Sequence, residues 1–95
     1  MKLRYAARAI ADLEAIADYL KPRSPQGLAN VRAAILDGLN TIVQFPRAGR
    51  LQDAGGVRKL AVRKYKYLIY YTVEEDEIAV VAIQHGSRRR TFSDR

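Results

Sequence analysis

The sequence contains no cysteine and only one histidine among its 95 residues. The absence of cysteine excludes disulfides, thiol catalysis and thiolate metal sites. With a single histidine as the remaining nitrogen ligand, a structural zinc site is not expected, and we predict no metal or other cofactor. No apolar run approaches the roughly 20 residues that a membrane-spanning helix needs. Residues 1–20 carry acidic side chains inside their apolar pattern, unlike a signal peptide, so we expect a cytoplasmic location.

What the sequence has in excess is positive charge. Seventeen Lys and Arg face ten Asp and Glu, which gives a net charge of +7. This balance favours an acidic partner, which is a nucleic acid, an anionic surface or an acidic protein. A soluble basic domain without such a partner is the alternative. The length and the 48% hydrophobic fraction predict one globular domain over residues 1–95.

The N-terminal half reads as a strand followed by two helices. Residues 2–5 alternate polar and apolar side chains, which predicts a short edge strand, and residues 6–20 then carry an apolar stripe with helical spacing. Residues 21–25 predict a break, because Pro22 fits poorly inside a helix. Ser24 followed by Pro25 is typical of a helix start, so a second helix is predicted over 25–45. Gly38 within it is attributed to close packing against the first helix.

The C-terminal half reads as three strands. After an irregular stretch that ends in two glycines, residues 57–62, 65–73 and 77–84 are rich in Val, Ile, Leu and Tyr. The links between them are short, so consecutive strands must pair antiparallel. The predicted fold is α+β: an N-terminal strand, an α-helical hairpin, and a three-stranded antiparallel meander on which the hairpin packs.

Basic and aromatic side chains surround the first two of these strands and follow the third. They are our candidates for contacts with a partner: Arg50, Arg58, Lys59, Arg63, Lys64, Tyr65, Tyr67, His85, Arg88 and Arg89. Cations can hold phosphates or meet acidic residues of a protein, and tyrosines can stack on bases. Each type also has a structural explanation, since strand tyrosines usually pack in the sheet and terminal charges are usually solvated. His85 fits either a structural role or that of a general base.

Four phrases of the sequence together resemble the RelE/ParE superfamily of type II toxin–antitoxin toxins. They are ADLEAIADYL, SPQGLANVRAAILDGLNTIVQFPRAGR, VRKLAVRKYKYLIYYTV and IAVVAIQHGSRRR, and they cover nearly the whole chain. The resemblance implies a fold similar to that of microbial ribonucleases. It also implies a cognate antitoxin as partner, in a hetero-oligomer.

The superfamily has two main activities, and the residues decide between them. RelE-like toxins cut messenger RNA on the ribosome without a metal, which requires a base, an acid and a cluster of cations. Lys59 and Arg88 match two of the cationic positions in that pattern. Ala61 and Leu68 stand where a lysine and an arginine are expected.

The chain resembles the ParE-like branch better, because of these two apolar residues and because of Ser24-Pro25, Pro46 and Gly49-Arg50 around the second helix. This resemblance implies a binder that poisons DNA gyrase, with no catalytic residues of its own. The alternative is a metal-independent endoribonuclease acting on ribosomes and messenger RNA. A third interpretation is a module that binds its antitoxin and has lost toxicity. The ribonuclease residues would be Lys59, Arg63, Tyr67, His85 and Arg88.

Overall fold

The computed structural model describes residues 1–53 and 55–86. The predictions for Arg88 and Arg89 therefore lie outside the described residues. Within them the chain forms two helices and five strands. In order these are β1 Lys2–Tyr5, α1 Ala7–Arg23, α2 Pro25–Gln44, β2 Arg50–Leu51, β3 Arg58–Ala61, β4 Tyr67–Val73 and β5 Glu77–His85.

The five strands form one mixed sheet in the order β1-β5-β4-β3-β2. Strands β3, β4 and β5 are the predicted antiparallel meander, and the α+β class is confirmed. Strand β1 lies at the edge, as predicted, and pairs parallel with β5. A parallel neighbour needs a long crossover, and the rest of the chain between β1 and β5 supplies it. An ion pair between Arg4 Nε and Glu77 Oε2 at 2.7 Å fastens the two strands.

A single residue, Ser24, joins the two helices. It is the C-cap of α1 and the N-cap of α2, and its Oγ accepts a hydrogen bond from the Gly27 amide at 2.9 Å. Ser24 and Pro25 thus begin the second helix as predicted. The predicted break at Pro22 was wrong, because α1 continues through it to Arg23. Pro22 lies in the last turn, where only one helical residue follows, so the missing N–H interrupts little of the helix.

The core lies between the helices and one face of the sheet. Helix α2 buries Leu28, Val31, Ile35, Leu39 and Ile42. All of these except Leu28 share a cluster with Ile69, Tyr71, Ile78, Val80 and Ile83 of the sheet. Each fully buried aliphatic side chain of this size contributes about 1.5–3 kcal/mol of hydrophobic stabilisation.

Gly38 is the point where α2 approaches the sheet. A Cβ atom there would lie 3.1 Å from Ile69 Cδ1 and 3.5 Å from Leu60 Cδ2. From the sequence we expected Gly38 to allow close packing against the first helix, and this expectation was wrong. The glycine accommodates strands β3 and β4 instead, because the apolar stripe of α2 faces the sheet.

The connections contain two further differences from the predictions. The stretch after α2 was expected to be irregular, yet Arg50 and Leu51 form the edge strand β2 against β3. Strand β4 begins at Tyr67, two residues later than predicted. Lys64 has a φ of 72°, and the turn is closed by a hydrogen bond from the Val62 amide to the Tyr67 carbonyl at 2.9 Å. This tight turn keeps Tyr65 and Lys66 out of the strand.

The face of the sheet away from the helices has its own buried cluster. Val57, Tyr70 and Ala82 form it, and Leu68 and Val81 pack against them. Adjacent strand residues point to opposite faces, so Tyr70 lies here while Tyr71 faces the helices. A register shift opposite Tyr70 and Tyr71 adds a residue to β5, which pairs Tyr71 with Val80. No helix within the described residues is long and apolar enough to cross a membrane.

Candidate functional site

The structure distributes the predicted site residues over three places. Tyr65, Tyr67 and His85 line a cleft between α1 and the β4–β5 end of the sheet. Arg63 and Lys64 lie in the turn between β3 and β4. Arg50, Arg58 and Lys59 lie on the β2–β3 edge. The sequence predicted these residues as one set, and the fold separates them.

The first place, the Tyr67–His85 cleft, is built on an aromatic pair. Tyr67 begins β4, His85 ends β5, and the two are paired in the register. Their rings meet edge to face, with centroids 5.2 Å apart and planes at 85°. Such an arrangement is a favourable contact for two aromatic rings. Both residues are half-buried, so the pair is accessible from the cleft.

Helix α1 supplies the opposite wall of this cleft. Arg8, Asp12 and Tyr19 line it, and the turn adds Tyr65 and Lys66. Asp12 Oδ2 accepts a hydrogen bond from the Ile83 amide at 2.9 Å and lies 3.7 Å from Arg8 Nε. This carboxylate holds α1 on β5. The sequence did not single out Asp12 as a site residue, because it looks like any other polar residue of an amphipathic helix.

The second place is the turn that carries Arg63 and Lys64. Both residues are exposed at the tip of the β3–β4 connection. Together with Tyr65 they line a shallow cleft whose other wall is α2 at Asn30, Ala33 and Asp37. The cations project at the end of the sheet, where they are accessible to a phosphate or a carboxylate. Tyr65 therefore borders both this cleft and the Tyr67–His85 cleft.

Lys59 lies on the other face of the sheet from the aromatic pair. It pairs with Tyr70, three residues from Tyr67, so Lys59 and Tyr67 face opposite sides. Ala61 is two residues beyond Lys59 on the same face, and it pairs with Leu68. The two apolar residues that interrupt the expected cationic pattern are thus direct neighbours.

The third place is organised by a buried phenol. Tyr71 Oη donates a hydrogen bond to the Pro46 carbonyl at 2.7 Å and accepts one from the Gly49 amide at 2.8 Å. Arg58 Nη1 donates to the Gly49 carbonyl at 2.9 Å. Burial raises the pKa of Tyr71 above its ordinary value, although the Gly49 hydrogen bond and the Arg58 charge act in the opposite direction.

These contacts fix the segment between α2 and β2. The result is a surface that we call the arginine platform, made of Phe45, Arg47, Leu51, Arg58 and Val73 around a shallow depression. Sequence analysis singled out only Arg58 among these five. The sequence does contain one indication of this surface: Pro46–Gly49 after a helix predicts a fixed turn. This pattern does not show which apolar residues the turn exposes.

No group of three or more potential metal ligands exists among residues 1–53 and 55–86. The predicted site residues that the structure describes are cations, aromatic residues and one histidine. They suit the binding of an acidic or aromatic partner at several points of the surface.

Comparison with known proteins identifies the class. A sequence model described as the ParE toxin of the type II toxin–antitoxin system parDE matches residues 3–90. The chain therefore belongs to the ParE toxin family, within the RelE/ParE superfamily.

Two relatives are named as toxins, and one of them bears the RelE name. The chain is 33% identical to "Toxin RelE2" of Caulobacter vibrioides over 81 residues, which is 85% of this chain and 90% of that protein. It is 24% identical to "Putative toxin Y4kP" of Sinorhizobium fredii over 88 residues, 93% of this chain and 91% of that protein.

Solved structures reproduce the fold. The structure titled "Chromosomal ParDE TA system from P. aeruginosa" matches with a TM-score of 0.74 at 25% identity, covering 90% of this chain and 95% of that one. The E. coli RelBE toxin–antitoxin complex matches with a TM-score of 0.58 at 15% identity, covering 92% and 98%. The second likeness is one of fold alone. The resemblance that the four sequence phrases indicated is confirmed.

Proposed function

We propose that this chain inhibits growth by binding and poisoning DNA gyrase, and that an antitoxin encoded beside it neutralises it. The family supports a toxin, and the ParE-like features of the sequence support gyrase as its target. One observation carries the choice between binder and nuclease: Ala61 pairs with Leu68 at the positions where a RelE-like nuclease would have two cations.

The electrostatics of this face explain why that pair matters. Cleavage of an RNA backbone develops charge on the phosphate, and preorganised cations stabilise it. Losing one such group typically lowers the rate by about 100- to 1000-fold. The paired residues on this face of β4 and β5 include Leu68, Tyr70, Ala82 and Gln84, none of which carries a charge.

The positions of Lys59 and His85 support the same choice. A base and the cation that assists it must contact one phosphodiester together. Lys59 lies on the face away from the helices, and His85 contacts Tyr67 in the cleft beside α1. Residues on opposite faces of a sheet do not reach the same phosphate.

The matching structures support a cognate antitoxin as the partner of this chain. Two of the matching structures are titled as a ParDE system and a RelBE toxin–antitoxin complex. A chain with this fold and a net charge of +7 presents cations at the turn and along the β2–β3 edge. An acidic antitoxin segment would neutralise them.

A ribonuclease remains the second candidate because of one contact. Tyr67 and His85 meet edge to face in an open cleft, which is an arrangement that could exchange a proton with a bound substrate. In this alternative Lys66, which lines the same cleft, would hold the RNA. The candidate predicts cleavage of messenger RNA in translating extracts.

The deciding experiment measures gyrase supercoiling and trapped covalent gyrase–DNA complexes with the purified chain. We expect inhibition and trapped complexes, both reversed by the antitoxin. A basic protein can also block an enzyme by coating DNA, so relaxation of the same plasmid by a type I topoisomerase is the control. Equal inhibition of both enzymes, or cleavage of messenger RNA with gyrase unaffected, would overturn the proposal.

A further inference from the structure

Three large apolar side chains are exposed together on the arginine platform. Phe45 is 62% exposed, Leu51 56% and Val73 39%. They come from the end of α2, from β2 and from the end of β4, yet all border the same depression. Scattered apolar side chains are normal on a protein surface, but a group around one concavity is typical of an interaction site.

The same depression is bordered by cations that form no ion pair with any residue the structure describes. Arg47 and Arg58 line it, whereas no Asp or Glu of residues 1–53 and 55–86 does. None of the ion pairs among the described residues includes Arg47 or Arg58. Within the described part of the chain, the Arg58 guanidinium makes one hydrogen bond, to the Gly49 carbonyl. The guanidinium is planar and rigid, so its remaining N–H groups keep a fixed arrangement. That arrangement suits the two oxygens of a carboxylate.

The platform is held in place before anything binds. Tyr71 ties Pro46 and Gly49 to the sheet, and a Cβ atom at Gly49 would approach Tyr71 Oη to 2.6 Å. A backbone fixed in this way loses little conformational entropy on binding, which favours affinity.

We propose that the arginine platform binds a segment of the antitoxin that places an apolar side chain in the depression and carboxylates on Arg47 and Arg58. The inference rests on the proposed toxin function and specifies where its neutralising partner attaches. A protein segment fits better than a nucleic acid, because cations alone would suffice for phosphates and the exposed Phe45, Leu51 and Val73 would be left uncovered. A partner that stays bound fits best, since it would keep these side chains from water.

The test measures the affinity of the full chain for the purified antitoxin encoded by the adjacent gene, by isothermal titration calorimetry. The variants are Arg47→Glu and Phe45→Glu, whose side chains are exposed. Matched controls on α1 are Lys21→Glu and Ile10→Glu, because Lys21 is exposed, Ile10 is 47% exposed and neither residue borders the platform. Circular dichroism verifies that each variant is folded.

We expect each platform variant to weaken binding by about tenfold or more, which corresponds to about 1.4 kcal/mol, and each control to change it less than about threefold. Added salt should weaken the wild-type complex more than the Arg47→Glu complex. Platform variants that bind like the wild type, or no worse than the controls, would overturn the platform while leaving the toxin function intact. An antitoxin that does not bind the wild-type chain would overturn the proposed function, and the inference with it.

Discussion

The Tyr71 hydroxyl accepts a hydrogen bond from the Gly49 amide, at 2.8 Å and across 22 residues of sequence. The same hydroxyl donates to Pro46, so one phenol satisfies both ends of the turn that follows α2. Since Tyr71 is fully buried within the core cluster, the turn is anchored to the centre of the molecule. The edge strand β2 and the arginine platform depend on this anchor.

Removing the hydroxyl should therefore destabilise the whole chain. Tyr71→Phe leaves the Pro46 carbonyl and the Gly49 amide without their partner, and each lost buried hydrogen bond costs about 1–3 kcal/mol. We expect the free energy of unfolding, measured with urea, to fall by about 2–6 kcal/mol for the two lost bonds. Tyr19→Phe is the control, because that side chain is 58% exposed and should change stability little. Equal effects of the two substitutions would contradict the anchoring role.

The raised pKa of Tyr71 predicts how stability depends on alkaline pH. The unfolded chain ionises this phenol near its ordinary value of 10.0, whereas the folded chain does so only at a higher pH. A raised pKa means that the contribution of Tyr71 is fully present below 10.0 and is lost as the pH rises through the folded value. Urea unfolding as a function of pH should show this loss, and the decline should be shallower in Tyr71→Phe. Parallel curves for both proteins would exclude Tyr71 as the cause.

Two glycines differ in what surrounds them, and alanine at each should give different results. At Gly49 a Cβ atom would meet Tyr71 Oη at 2.6 Å and the Lys59 carbonyl at 3.0 Å, so Gly49→Ala should cost about 1–3 kcal/mol or more. At Gly38 the nearest atom is the tip of Ile69, and alanine gains about 1 kcal/mol of helix propensity. We expect Gly38→Ala to be the milder substitution in thermal unfolding. The reverse order would show that the turn is not fixed by Tyr71.

The contact between Asp12 and Ile83 predicts a difference between two substitutions at one position. Asp12→Ala removes the acceptor of the Ile83 amide, which should cost about 1–3 kcal/mol. Asp12→Asn keeps an acceptor oxygen and should lose less. Asp18→Ala, on the exposed side of α1, is the control for the loss of a carboxylate. If alanine and asparagine at position 12 destabilise equally, the hydrogen bond does not fasten α1 to the sheet.

Much of the fold could be predicted because each element carries its own periodic pattern. Helix α2 combines a 3.6-residue apolar stripe with a Ser-Pro start, and the meander combines apolar runs with very short links. Strand β2 could not be predicted, since two residues have no period. Its position depends on the Tyr71 hydroxyl and on pairing with β3, which are contacts distant in sequence.

The candidate site was harder to predict for a similar reason. The sequence identified Lys59 and His85 but could not assign them to faces, because that requires the register of three strands and the position of the bulge opposite Tyr70 and Tyr71. It also missed Phe45 and Leu51. An apolar residue at a helix end or in a loop looks like core in a sequence, and only the fold shows that it is exposed.

We propose that the chain keeps the toxin fold but acts by binding gyrase rather than by cutting RNA. Induction of the chain in growing cells, followed by measuring covalent gyrase–DNA complexes and messenger RNA cleavage in the same samples, tests it most directly. We expect gyrase–DNA complexes to accumulate while transcripts stay intact, and co-expressed antitoxin to prevent the accumulation. Codon-positioned cleavage of transcripts before any gyrase–DNA complex forms would contradict it.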